Sequence, residues 1–81
     1  IEYPCVFPIK VMGLKQAGFA QAMGFVARQF DPDWQESSMQ TRESKAGKYL
    51  GLTLTVRVHS REQLDELYRT LSSHPMVKVV L

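Results

Sequence analysis

The chain has 81 residues, a formal net charge of +2, 44% hydrophobic and 22% charged residues, and one cysteine. A length this small leaves room for one core, expected as a single domain over residues 1–81 that buries about 60–65% of its unfolded surface. These figures exclude an internal disulfide, a membrane span of roughly 20 apolar residues, and nucleic-acid binding driven by overall charge alone. A reducing cytoplasm is the expected compartment, and the start at Ile1 in place of Met reads as a fragment whose first residues are missing. Cys5 has no CxxC or metal-ligand spacing around it and reads as a small strand hydrophobe.

Over residues 7–11, Phe7, Ile9 and Val11 alternate with Pro8 and Lys10, the period-two pattern of a strand with one apolar face. Pro8 has no N–H to donate, so regular pairing should begin at Ile9 or Pro8 should sit at a bulge, and Gly13 should end the strand. Over residues 16–30, Phe19, Met23, Val26 and Phe30 are spaced by four, three and four, one stripe of an amphipathic helix. Gly18 and Gly24 weaken it by up to about 1 kcal/mol each relative to alanine, and Pro32 in "DPDW" disfavours helical geometry at Asp31 and stops it. Residues 38–43 read as a weak, polar edge strand.

The clearest strand follows, where Leu50, Leu52, Leu54, Val56 and Val58 alternate with Gly51, Thr53, Thr55 and Arg57. Ser60 with Gln63 forms a capping-box pattern, and Leu64, Leu67, Tyr68 and Leu71 are the stripe of a second helix that Pro75 closes. "MVKVVL" is a last short strand expected to turn Val77, Val79 and Leu81 to one side. The order is βαββαβ. Two helices can cover one face of a four-stranded sheet, and right-handed crossovers then favour an α+β, ferredoxin-like sandwich, antiparallel, with strand order 4-1-3-2. The other face must meet water or a partner.

"SKAGKY" invites comparison with a phosphate-binding loop, but it leads into a strand rather than a helix, and Tyr49 stands where Ser or Thr is needed. It reads as a hairpin loop in which Gly47 supplies positive φ and Lys45 and Lys48 are solvated cations within reach of an anionic partner. On the open face, strand parity gathers Lys10, Arg57 and Lys78 with Thr53 and Thr55. That patch suits a carboxylate, a phosphate or an acidic protein surface, or simply keeps an exposed sheet soluble.

RNA-recognition motifs share this order of elements, which makes weak nucleic-acid binding the alternative function, but neither their stacking aromatics nor their signature is present here. "MGLKQAGF" has no cysteine pair for metal transfer and no arginine for a phosphoryl group. His59 and His74 flank the second helix and read as capping or surface residues. No cofactor and no catalytic set is expected. The polar second strand and "MVKVVL" offer sheet edges for a homodimer.

"FPIKVMG", "SKAGKY" with its following strand, "LDELYRTL" and "MVKVVL", in this order and spacing, resemble the YbeD-like family of small bacterial proteins. "DPDWQESSMQ" departs most, by extra length. The resemblance implies a fold similar to the ACT regulatory domains and a cytoplasmic protein associated with lipoate-synthesis genes. Of the acidic residue and Pro-Gly usual between the first strand and helix of ACT domains only Gly13 remains, so amino-acid binding does not transfer. The expectation is a non-enzymatic regulatory or protein-interaction module with a protein partner or small anionic ligand.

Overall fold

The computed structural model describes residues 2–81. Strands β1 (Cys5–Leu14), β2 (Gln40–Glu43), β3 (Tyr49–Val58) and β4 (Val79–Val80) form one sheet in the order β2-β3-β1-β4, every neighbouring pair antiparallel. Helices α1 (Phe19–Phe30) and α2 (Arg61–Ser72) lie on one face, packed on each other. This is the expected α+β ferredoxin-like arrangement, with order 4-1-3-2 read from the other edge. No helix among the described residues is long and apolar enough to cross a membrane.

The core is made where the two periodicities meet. Ile9 and Val11 on β1 and Leu52, Leu54, Val56 and Val58 on β3 turn to the helices, which answer with Phe19, Met23, Val26 and Ala27 from α1 and Leu64, Leu67 and Leu71 from α2. Burying each of the larger side chains stabilises the fold by about 1.5–3 kcal/mol before entropy is counted. Trp34 joins this core from the loop after α1, its ring against Gly24 and under the Arg28 guanidinium at 5.2 Å from the ring centre. Asp31 ends α1 and ties the loop down. One carboxylate oxygen accepts the Asp33 N–H and the other the Arg57 N–H of β3, both at 3.1 Å.

The strand boundaries differ from the sequence pattern in physically clear ways. β1 runs from Cys5 through Pro8 and Gly13 to Leu14 instead of spanning residues 7–11. Lys10 exchanges main-chain hydrogen bonds with Leu81, so even-numbered residues of β1 turn their amides toward β4 and odd-numbered ones toward β3. The N–H that Pro8 lacks falls on the β4 side, where pairing is at Val11 and Met12, and the ladder to β3 loses nothing. Gly13 does not end the strand but pairs with Leu50, and it has to be glycine because a Cβ there would meet the Met76 carbonyl oxygen and lie 2.9 Å from the Phe19 ring.

The second strand is shorter than residues 38–43, since a 3₁₀ turn occupies Glu36–Ser38. β4 is also shorter than "MVKVVL": a turn in which the Val77 N–H donates to the His74 carbonyl holds the chain back, and contact with β1 starts with the Lys78 N–H donating to the Met12 carbonyl at 2.7 Å, just before Val79–Val80. Its parity is the reverse of the expected one. Val79 faces Met12 and Val80 faces Val11, so Val80 is half-buried toward the helices while Val79 and Leu81 are 45% and 68% exposed.

At α2, the Ser60 hydroxyl accepts the Gln63 N–H at 3.0 Å, as the capping pattern predicts, while the Gln63 side chain accepts the His59 N–H at 2.6 Å instead of the Ser60 one.

Two substitutions test these devices. Gly13→Ala should overpack a main-chain oxygen and the Phe19 ring and lose about 1–3 kcal/mol, read as a lower urea midpoint at unchanged slope. Ser60→Ala should lose about 1 kcal/mol, a fall of roughly 4–8 °C in the melting temperature of a domain this size.

Candidate functional site

With the helices on one side, Val6, Pro8, Lys10, Met12 and Leu14 of β1 and Tyr49, Gly51, Thr53, Thr55 and Arg57 of β3 point to the other. The register arranges them in rows across the sheet. In one row Arg42 faces Gly51, Gly51 faces Met12 and Met12 faces Val79. In the next, Gln40 faces Thr53, Thr53 faces Lys10, and Lys10 is bonded to Leu81. β2 is exposed along its whole length, so it stands beyond the helices as a polar overhang.

These rows enclose a depression of about 460 Å³. Gly51 leaves its floor bare, Tyr49 closes one end, Arg42 and Gln40 rise from β2, and Lys10, Met12 and Leu81 line the opposite side. The lining mixes two cations with apolar surface, and Met12 is 37% exposed. Glu43, the acidic residue of the rim, is held by Lys15 at 3.0 Å. The ion pairs among the described residues are Lys15–Glu43, Arg61–Asp65 and Arg69–Glu66, and none uses Lys10, Arg42 or Arg57. The arrangement can therefore accept negative charge and cover carbon at the same place.

The residues singled out from the sequence are not all brought together. Lys10 and Thr53 sit side by side in the depression, and Thr55 lies one row on, opposite Pro8. Arg57 faces Val6, four residues from Thr53 along β3, about 13 Å at the rise of a strand. Its main-chain N–H is already taken by Asp31. Lys78 is displaced from the expected patch, because the Met12–Val79 pairing gives the open-face positions of this segment to Val79 and Leu81 and leaves Lys78 with the parity of Val80. The trio Lys10, Arg57 and Lys78 is thus dispersed, and Arg42 takes the place of its missing members.

In the hairpin loop Gly47 has φ of 74°, as the turn reading requires. The Ser44 hydroxyl accepts the Tyr49 N–H at 3.0 Å, and the Lys48 ammonium lies 5.5 Å from the Tyr49 ring centre. The Lys48 carbonyl accepts the Lys15 N–H at 2.8 Å, which fastens the loop to the end of β1, while Lys45 stays exposed. Neither Lys45, Gly47 nor Lys48 lines the depression. The participants that the sequence pattern left unseen are Arg42, Gly51 and Leu81. Glycine at an outward position of a strand was the available signal for Gly51, whereas Arg42 and Leu81 depended on registers that two short edge strands do not reveal.

The whole chain, residues 1–81, matches the family described as "Protein of unknown function (DUF493)". It is 59% identical over 81 residues to a UPF0250 protein of Leptothrix cholodnii, covering all of this chain and 89% of that protein. A UPF0250 protein of Bordetella pertussis shows the same identity and coverage. A UPF0250 protein of Nitrosomonas europaea is 47% identical over all of this chain and 93% of its own length. The family match over residues 1–81, with relatives 47–59% identical over the whole chain, makes this protein a member of the DUF493 family of small bacterial proteins of unknown function.

Proposed function

We propose that the protein is a non-enzymatic recognition module that binds carboxylate-bearing partners through the open face of its sheet. The observation that carries this reading is the coexistence there of two cations without an ion-pair partner among the described residues, Lys10 and Arg42, with apolar side chains left exposed, Met12, Val79 and Leu81. An exposed sheet face that served only solubility would have no use for the apolar members, and an apolar dimer face would have none for the cations. Recognition of an anion with carbon around it uses both. A regulatory role follows if occupancy of the face changes what the module contacts elsewhere.

The test is a titration of the ¹⁵N-labelled protein with an oligo-glutamate peptide at low salt. Amides of Met12, Gly51 and Thr53 should shift, and the double variant Lys10→Glu, Arg42→Glu should weaken binding roughly tenfold or more, at about 1 kcal/mol for each reversed contact in water. Its circular dichroism should be unchanged. No shift, or equal binding by the double variant, would sink the reading; shifts produced by a single-stranded RNA and not by the peptide would put nucleic acid in its place.

A further inference from the structure

Gly51 has no role in the fold that explains it. Glycine in a strand interior weakens the strand, and it recurs where another group must approach the backbone closely. The described glycines with positive φ are Gly18 and Gly47, so Gly51 needs no left-handed geometry. A Cβ added to it would make one ordinary contact, with the Arg42 carbonyl oxygen at 3.5 Å. At Gly13, by contrast, a Cβ would strike a main-chain oxygen and the Phe19 ring. What Gly51 supplies is room, in the middle of a row whose next members are Arg42 on one side and Met12 on the other.

From this and the lining we infer that the depression above Gly51 binds a small organic carboxylate with an apolar body. The inference rests on the anion-recognition reading of the open face and narrows it to a ligand class. A volume of about 460 Å³ lies within the range of roughly 300–1,000 Å³ usual for small-molecule sites. The Arg42 guanidinium offers a planar fork that matches a carboxylate, with the Lys10 ammonium and the Thr53 hydroxyl on the same lining. Glu43 does not supply that negative charge, because it is paired with Lys15 at 3.0 Å. Met12, Leu81 and Tyr49 add apolar surface to the lining that would remain wet around an inorganic anion, so the ligand brings carbon to cover it. A second copy of this chain is a poor occupant, since facing two such surfaces sets Lys10 and Arg42 against their own kind.

The experiment compares acetate, butanoate and hexanoate at low salt, with inorganic phosphate and hexylamine as controls, by amide shifts of Met12, Gly51 and Thr53. Affinity should rise with chain length, by up to about fourfold per buried methylene, phosphate should bind more weakly than hexanoate, and hexylamine should not shift these amides. Gly51→Val, which favours the strand and fills the floor, should keep or raise the melting temperature and abolish the hexanoate shifts. Affinity independent of chain length, phosphate binding as tight as hexanoate, or undiminished binding by Gly51→Val overturns the inference. If Gly51→Val fails to fold, Gly51→Ala answers the same question, and its undiminished binding of hexanoate also overturns it. If no monocarboxylate shifts these amides while oligo-glutamate does, the ligand class falls and the anion-recognition reading stands; if neither does, both fall.

Discussion

The pairing of β1 with β3 is the constraint from which the rest of this molecule follows. Ten residue pairs, from Cys5 with Val58 to Leu14 with Tyr49, hold the two central strands in one antiparallel register. Side chains alternate with a period of two, so a slip of one residue on either strand would put its apolar set into water. Ile9, Val11, Leu52, Leu54, Val56 and Val58 are all nearly or wholly buried, which leaves that register without a competitor. The same alternation sends Lys10 and Met12, Gly51 and Thr53 to the opposite face. The core and the candidate site are therefore two sides of one decision.

A domain of this size has only two helices with which to cover its sheet, and they lie over the apolar side of the central strands. β2 lies beyond them and is polar on both faces, as an overhang in water must be. Its cost to the fold is small, and its effect on the surface is large, since Arg42 and Gln40 raise a wall beside the flat centre of the sheet. At the other edge, β4 pairs with only the middle of β1. Pro8 occupies the stretch left open, with its missing N–H on that side. This blunts the edge against further strand addition, in keeping with the use of proline at sheet edges.

Three glycines show how differently one residue type can serve. Gly13 is present because Met76 and Phe19 come too close for any side chain. Gly47 is present because the hairpin loop needs a left-handed residue. Gly51 meets neither requirement, and its lack of a side chain is expressed only on the open face. That difference cannot be read from composition. It depends on what stands on the neighbouring strands and on what lies above the sheet.

The sequence alone determined the order of elements, the apolar faces of both helices and of β1 and β3, the cap at Ser60 and the turn glycine at Gly47, and hence the fold class. Each of these is a local property, carried by periodicity, propensity or a short hydrogen-bonded motif. Tertiary structure decided that Trp34 joins the core from a loop, that β1 continues through Pro8 and Gly13, and that Val79 and Leu81, not Lys78, belong to the open face. It also decided that Arg57 stands apart from Lys10 and that Arg42 replaces it beside Gly51. Short edge strands such as β2 and β4 carry too few residues for their own pattern to set a register. Their side chains are placed by the neighbours they pair with, and that information resides in the assembled sheet.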